Sequence, residues 1–437
     1  MPWRESFEPV RMDRVALVAP AERLEEVLRA VSDAGTVQLE LVQPDAPIGE
    51  TEGAAITHDR VAALVGWSPH QDVAGLRERV TPLGGAVVHL RSPRGAEPPT
   101  LLTTDERTGA SQALVETYAT IPYADLNPAI FAGTAYIVMF GMMFGDVGHG
   151  ALLAAGGVLL TTGRPRALAR FRRLGPFVVG AGLCSMVFGF AFGDAFGPTG
   201  LVPTLWMAPL DHPTRLLAVG IALGALLLAV SYVLGSVNRW REGGPGRALV
   251  ATSGLAGAGV YLGLGLLVLG WYEHLALALG FGAFLVAGGL VLGFLGCSAR
   301  GEGVAQAVIE VFDSVLRIGT NTVSFTRLAA FGLIHAALVQ TVWSGTTALS
   351  RRGFAFWLAA AVVFVLGNAL AFALEGLVAG IQALRLEYYE LFSRIFVSVG
   401  QPFHPWRAGD LAMSSSPPPT VSSDPLPSPK EDSCSRG

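Results

Sequence analysis

Charge is what this 437-residue sequence has least of. Asp, Glu, Lys and Arg make up 15%, against about 25% in an ordinary soluble protein. Lysine occurs once, at Lys430. Apolar residues are 51% of the chain and the mean hydropathy is +0.49. A soluble globule cannot hide so much apolar surface, so the composition excludes a disordered chain and most soluble enzymes. With a net charge of −4 there is no basic excess to bind nucleic acid. Cysteine is scarce too. Cys184, Cys297 and Cys434 lie far apart, with no CxxC, which argues against a disulfide framework or a cysteine metal site. No cofactor is indicated. The chain has no GxxxxGK[ST], so it does not hydrolyse ATP by that route. Its opening, MPWRESFEPV, lacks the apolar core of a signal peptide, which implies a mature, cytoplasmic N-terminus.

Three regions remain. Residues 1–128 are soluble in character and carry one pattern twice. Val15 to Val18 reads as a strand, Ala21 to Asp33 as an amphipathic helix (Leu24, Val27, Leu28, Val31) and Thr36 to Leu41 as a strand. Val61 to Trp67, Gln71 to Thr81 and Ala86 to Leu90 repeat the order. Two βαβ halves predict a small α+β, ferredoxin-like domain. The spacer Pro44 to Thr57, rich in Pro, Gly and acid, reads as a loop. Residues 129–407 form a helical membrane domain, with apolar runs at 129–162, 174–196, 213–238, 249–270, 275–296, 318–349 and 354–396. Residues 408–437 are Ser/Pro-rich and read as a disordered tail. The first apolar run is interrupted by Gly145 to Gly150. Reading it as two short spans puts the five arginines of 163–173, and Arg239, Arg241 and Arg247, on the cytoplasmic side. The fold class is thus mainly α, with about eight transmembrane segments and both termini cytoplasmic. Arg351 and Arg352 run against this topology.

Ionisable groups inside apolar runs are costly; an Arg at mid-helix costs at least roughly 2.5–3.5 kcal/mol. Arg327 is a permanent cation that can lower a carboxylate's pKa or pair with an internal acid. His335, eight residues on and ~12 Å along the helix, can relay protons or simply pack through a hydrogen bond. Asp313 stands at a vestibule or on a solvated helix face. Glu375 and Arg385 are too far apart to pair within their helix, so each needs a partner elsewhere. Gln382 lies on the Glu375 face, and Gly376 and Gly380 allow close helix approach. Asp146 and His149 flank the glycine break, as part of a water path or as a capped turn. Asp194 reads as a helix-end residue. Together these residues point to ion or proton translocation.

At these positions the sequence resembles subunit a of V-type/A-type rotary ATPases, called subunit I in bacteria. The resemblance rests on Pro99-Thr100, Tyr123 to Pro128 (Y-x-[DE]-x-N-P), Met143 to Gly150 (MFGDxGHG), Ser324 to Leu328 with His335, Glu375-Gly376-Leu377 to Arg385-Leu386, and Gln401-Pro402-Phe403. It implies that Arg327 faces the carboxylate of a rotating proteolipid ring. Glu375, His335 and Arg385 would line two ion half-channels, with Asp313, Asp146, His149 and Gln382 as further candidates. The last two long segments would be the family's tilted pair against the ring. Peripheral stalks, a catalytic sector and membrane lipid would be the other partners, in the cell membrane. The chain departs from the family in an N-terminal region of about 128 residues without heptads, in Arg317 and in Gln382. The last two leave proton or sodium open. A secondary transporter or channel using the same charges, or a non-conducting assembly protein, are the alternatives.

Overall fold

The computed structural model describes residues 8–93, 96–102, 109–163, 166–251, 253–299, 303–396 and 400–408. The Ser/Pro tail from 409 onward, and Arg164 of the arginine loop, lie outside the described residues. The chain forms two compact units, one of Arg11–Pro98 with the segment after Pro402, the other of Pro99–Pro402 with the residues up to Val10.

The smaller unit contains β1 (Met12–Pro20), α1 (Leu24–Ala34), β2 (Gln38–Leu39), α2 (Ile48–Gly53), β3 (Ile56–His58), β4 (Val61–Pro69), α3 (Val73–Val80) and β5 (Ala86–His89). The sheet is antiparallel, in the order β2-β4-β1-β5, with β3 also paired to β4. This is the order of two interleaved βαβ halves. The helical spacing of Leu24, Val27, Leu28 and Val31 buries all four, and Val73, Leu76 and Val80 of α3 join them in one core. Gly35 ends α1 in the left-handed region, its N–H donating to Val31 O.

The spacer at 44–57 is not simply a loop. It holds α2, closed by bonds from Glu50 N and Thr51 N to Pro47 O, and β3, which forms a hairpin with β4. Six helical residues are too few to show a period, and all of β3 is exposed, so neither carries a hydrophobic pattern. Residues 403–408 return to this unit. Trp406 is fully buried in its core, and its Nε1–H donates to Ala46 O at 3.1 Å.

The larger unit contains α4 (Gly109–Tyr118), α5 (Ala129–Met143), α6 (Val147–Thr162), α7 (Gly175–Phe192), α8 (Pro213–Val250), α9 (Leu255–Tyr272), α10 (Ala276–Ala299), α11 (Val304–Ser324), α12 (Thr326–Ser350) and α13 (Trp357–Leu386). A π-helical turn, Glu387–Phe392, continues α13. Among the described residues, six helical segments are long and apolar enough to cross a membrane; α5 and α6 are apolar but shorter. At ~22 and ~24 Å they fall below a ~30 Å hydrocarbon core. Outward-facing Leu277, Phe354 and Leu358 are 90%, 94% and 76% exposed, as lipid-facing side chains are.

Small residues set the packing. A side chain at Gly141 would strike Cys184, and one at Gly133 or Gly180 would meet Phe177 or Ile137, so α5 runs parallel to α7. Gly150 lies on Gly182 O and Gly157 on Val179 N, so α6 runs antiparallel to α7. The chain therefore reverses at 144–146, with α7 packed on both short helices. Val342 meets Gly367, and His335 meets Glu375, so α12 and α13 run antiparallel. The run expected from 318 is split: α11 ends at Ser324 and α12 begins after the buried Phe325.

Candidate functional site

The reversal between α5 and α6 is built around Asp146. Its carboxylate caps α6, accepting from His149 N at 2.8 Å, and also accepts from Phe196 N at 3.0 Å and Gly197 N at 3.1 Å. Three backbone donors compensate a fully buried carboxylate. Gly189 permits the approach: a Cβ there would lie 2.4 Å from Val147 N. The capped turn is the geometry found at Asp146.

One turn on, the His149 ring is enclosed by Phe144, Phe196, Phe372 and His335, with ring centroids 5.3–5.8 Å away. His335 Nδ1 is hydrogen-bonded to Glu375 Oε2. Glu375, which cannot pair within its own helix, thus finds its partner on α12. Asn368, two turns before Glu375 on the same face, is buried against His149. The structure brings Asp146, His149, His335 and Glu375 into one polar cluster within apolar helices.

Arg327 lies at the N-terminal end of α12, about two turns before His335. Its Nη2 donates to Ser324 Oγ at 2.7 Å, and that hydroxyl donates to Glu390 Oε1. The direct Arg327–Glu390 separation is 4.0 Å. The guanidinium keeps 28% exposure while the carboxylate is 8% exposed. Arg385 is exposed and within electrostatic reach of Glu390. Gln382 presents a buried Oε1 without a hydrogen-bond partner. Asp313 joins neither cluster; it pairs with Arg317 at 2.5 Å on an exposed face of α11. Sequence patterning alone gives Ser324, Glu390 and Asn368 no role. Asn368 carried one signal, its seven-residue spacing from Glu375.

The V-type ATPase 116 kDa subunit family matches residues 57–209, a stretch that includes the Asp146–His149 turn. A-type ATP synthase subunit I of Pyrococcus horikoshii is 24% identical over 365 residues, 79% of this chain and 53% of the relative. That of Aeropyrum pernix is 29% identical over 343 residues, 67% of this chain and 49% of the relative. That of Methanocaldococcus jannaschii is 23% identical over 451 aligned residues, covering 92% of this chain and 64% of the relative. The chain is thus similar to A-type ATP synthase subunit I proteins over most of its own length. It spans about half the length of the first two relatives. The likeness agrees with the resemblance drawn from the motifs, and both polar clusters fall on helices that carry those motifs.

Proposed function

We propose that this chain is a membrane stator subunit of an A/V-type rotary ATPase, coupling ion passage to rotation of a proteolipid ring. One observation carries the reading. A permanent cation, Arg327, and a titratable pair, His335 and Glu375, are strung along a single antiparallel pair of apolar helices. The two sites are about eight residues, or ~12 Å, apart on α12.

In this reading a proton enters by one half-channel and passes through the His335–Glu375 pair to a ring carboxylate. Imidazole and carboxylate can each take up and release it. Arg327, protonated at all physiological pH, favours the ionised ring carboxylate and drives release into the second half-channel. Its anchorage through Ser324 and Glu390 keeps the charge positioned while part of the guanidinium remains exposed. The ring, peripheral stalks and a catalytic sector are the partners this role requires.

ATP-driven acidification of vesicles carrying the assembled complex tests it. Arg327→Ala, and also Arg327→Lys, should abolish pumping without loss of assembly. Normal pumping by Arg327→Ala rejects the proposal. Ion flux through the chain without a ring would instead favour a transporter or channel.

A further inference from the structure

The cluster at the α5–α6 reversal has a property that ion passage does not require. Asp146, His149 and His335 each offer one ligand-capable atom, and these atoms all lie within 4.8 Å of one another. All three residues are buried, at 0%, 0% and 2% exposure. Three imidazole nitrogens there make no well-formed hydrogen bond: Nδ1 and Nε2 of His149, whose ring has Asn368 as a polar neighbour, and Nε2 of His335. Unpaired polar atoms in a dry interior are unfavourable, and one nitrogen from each ring lies close to the Asp146 carboxylate, an arrangement that calls for an occupant.

The geometry points to a divalent transition-metal site, best suited to Zn²⁺, ligated by an Asp146 oxygen, a His149 ring nitrogen and His335 Nε2. The surroundings match what such a site needs. Metal-bound histidines usually donate their other ring N–H to a carboxylate, and His335 Nδ1 is already held by Glu375. That bond leaves Nε2 as the free ligand atom. A carboxylate has about four acceptor positions, and three backbone N–H groups occupy three of those on Asp146. One remains. Two carboxylates, Asp146 and Glu375, balance a 2+ charge while both imidazoles stay neutral. Two nitrogens and one oxygen suit zinc rather than the oxygen-seeking Mg²⁺ or Ca²⁺, and three protein ligands leave a fourth position for water. Phe144, Phe196 and Phe372 form an apolar wall around the site.

A bound ion would tie the α5–α6 reversal to α12 and withdraw His335 Nε2 from proton exchange. That consequence rests on the function proposed above; metal binding itself does not.

The test uses the full chain, purified in detergent, stripped with a chelator and titrated with ZnCl₂. Metal content should saturate at one zinc per chain. Affinity should fall roughly 10–100-fold in His149→Gln and in Glu375→Gln, and stay unchanged in His274→Gln, whose ring is exposed. Co²⁺ added to the stripped wild type should give the visible absorption of a low-coordinate site, lost in His149→Gln. Retention of less than one zinc, no Co²⁺ spectrum in the wild type, or binding indifferent to His149→Gln overturns the proposal. Zinc that binds at one per chain without slowing pumping upholds the metal site and counts against a proton path through His335.

Discussion

His335 and Glu375, forty positions apart in sequence, share a hydrogen bond across the α12–α13 pair. Both are nearly buried, with side-chain exposures of 3% and 10%. Removing either leaves the other buried without its partner, which costs more than the bond itself contributes. A double-mutant cycle of His335→Ala and Glu375→Ala should therefore be strongly non-additive. Each single change should lower the melting temperature in detergent, and the double change should lower it by less than the sum. The expected coupling is about 1–3 kcal/mol. Additive losses would mean the contact carries no coupling.

Ser324 bridges Arg327 and Glu390, which are otherwise 4.0 Å apart. Ser324→Ala takes a hydrogen bond from a charged group on each side. The expected cost is about 2–4 kcal/mol, given ~1.5–3 kcal/mol for each bond to a charged group, less what the direct ion pair recovers. Ser324→Thr keeps the hydroxyl and should cost much less. Thermal melts of the two variants side by side check this; equal losses would show that volume, and not the hydroxyl, matters.

Asp125, which precedes the first apolar helix, is fully buried. Arg239 Nη2 lies 3.9 Å from Asp125 Oδ2 and 2.8 Å from Glu242 Oε1. Two acids thus share one guanidinium. Burial, and then the neighbouring Glu242, push the Asp125 carboxyl up from 3.8 to about 7, against the pull of Arg239. The folded state then holds a proton that the unfolded chain has released. Stability should fall as pH rises from about 4 through about 7 and level off above. Asp125→Asn, always neutral, should flatten that slope. Melting temperatures across this range provide the check, and an unchanged slope in Asp125→Asn would assign it to another group.

The membrane helices and the α1 face are legible in the sequence because burial repeats along one element: Leu24, Val27, Leu28 and Val31 all point one way. What crosses between elements is less so. Periodicity puts Glu375 on a face and says it needs a partner; it does not say which helix brings His335. By sequence, the residues around Asp146 fit a water path and a capped turn equally. Two of its three donors come from Phe196 and Gly197, about fifty positions on, where no local pattern points. Glu390 sits in the π-helical turn Glu387–Phe392, which shifts side-chain directions away from the 3.6-residue period. Its approach to Ser324 could not be read from helical spacing.

Trp406 closes the core of the smaller unit from 360 positions away in sequence. Its backbone N–H donates to Val37 O at 2.7 Å and its indole N–H to Ala46 O at 3.1 Å. Flanking bonds from His404 N to Gln38 Oε1 and from Ala408 N to Ser32 Oγ extend the tie. The backbone bonds survive substitution at Trp406, so the side chain can be tested separately. Trp406→Ala should destabilise this unit by about 3–5 kcal/mol, the range for emptying a large aromatic site. Trp406→Phe keeps part of the apolar contact, loses the bond to Ala46 and should cost less. Limited proteolysis of the full chain reports this directly: cleavage within residues 11–98 should speed up most in Trp406→Ala and modestly in Trp406→Phe. If both variants resist cleavage as the wild type does, the indole is dispensable and the core is held by α1, α3 and the sheet alone.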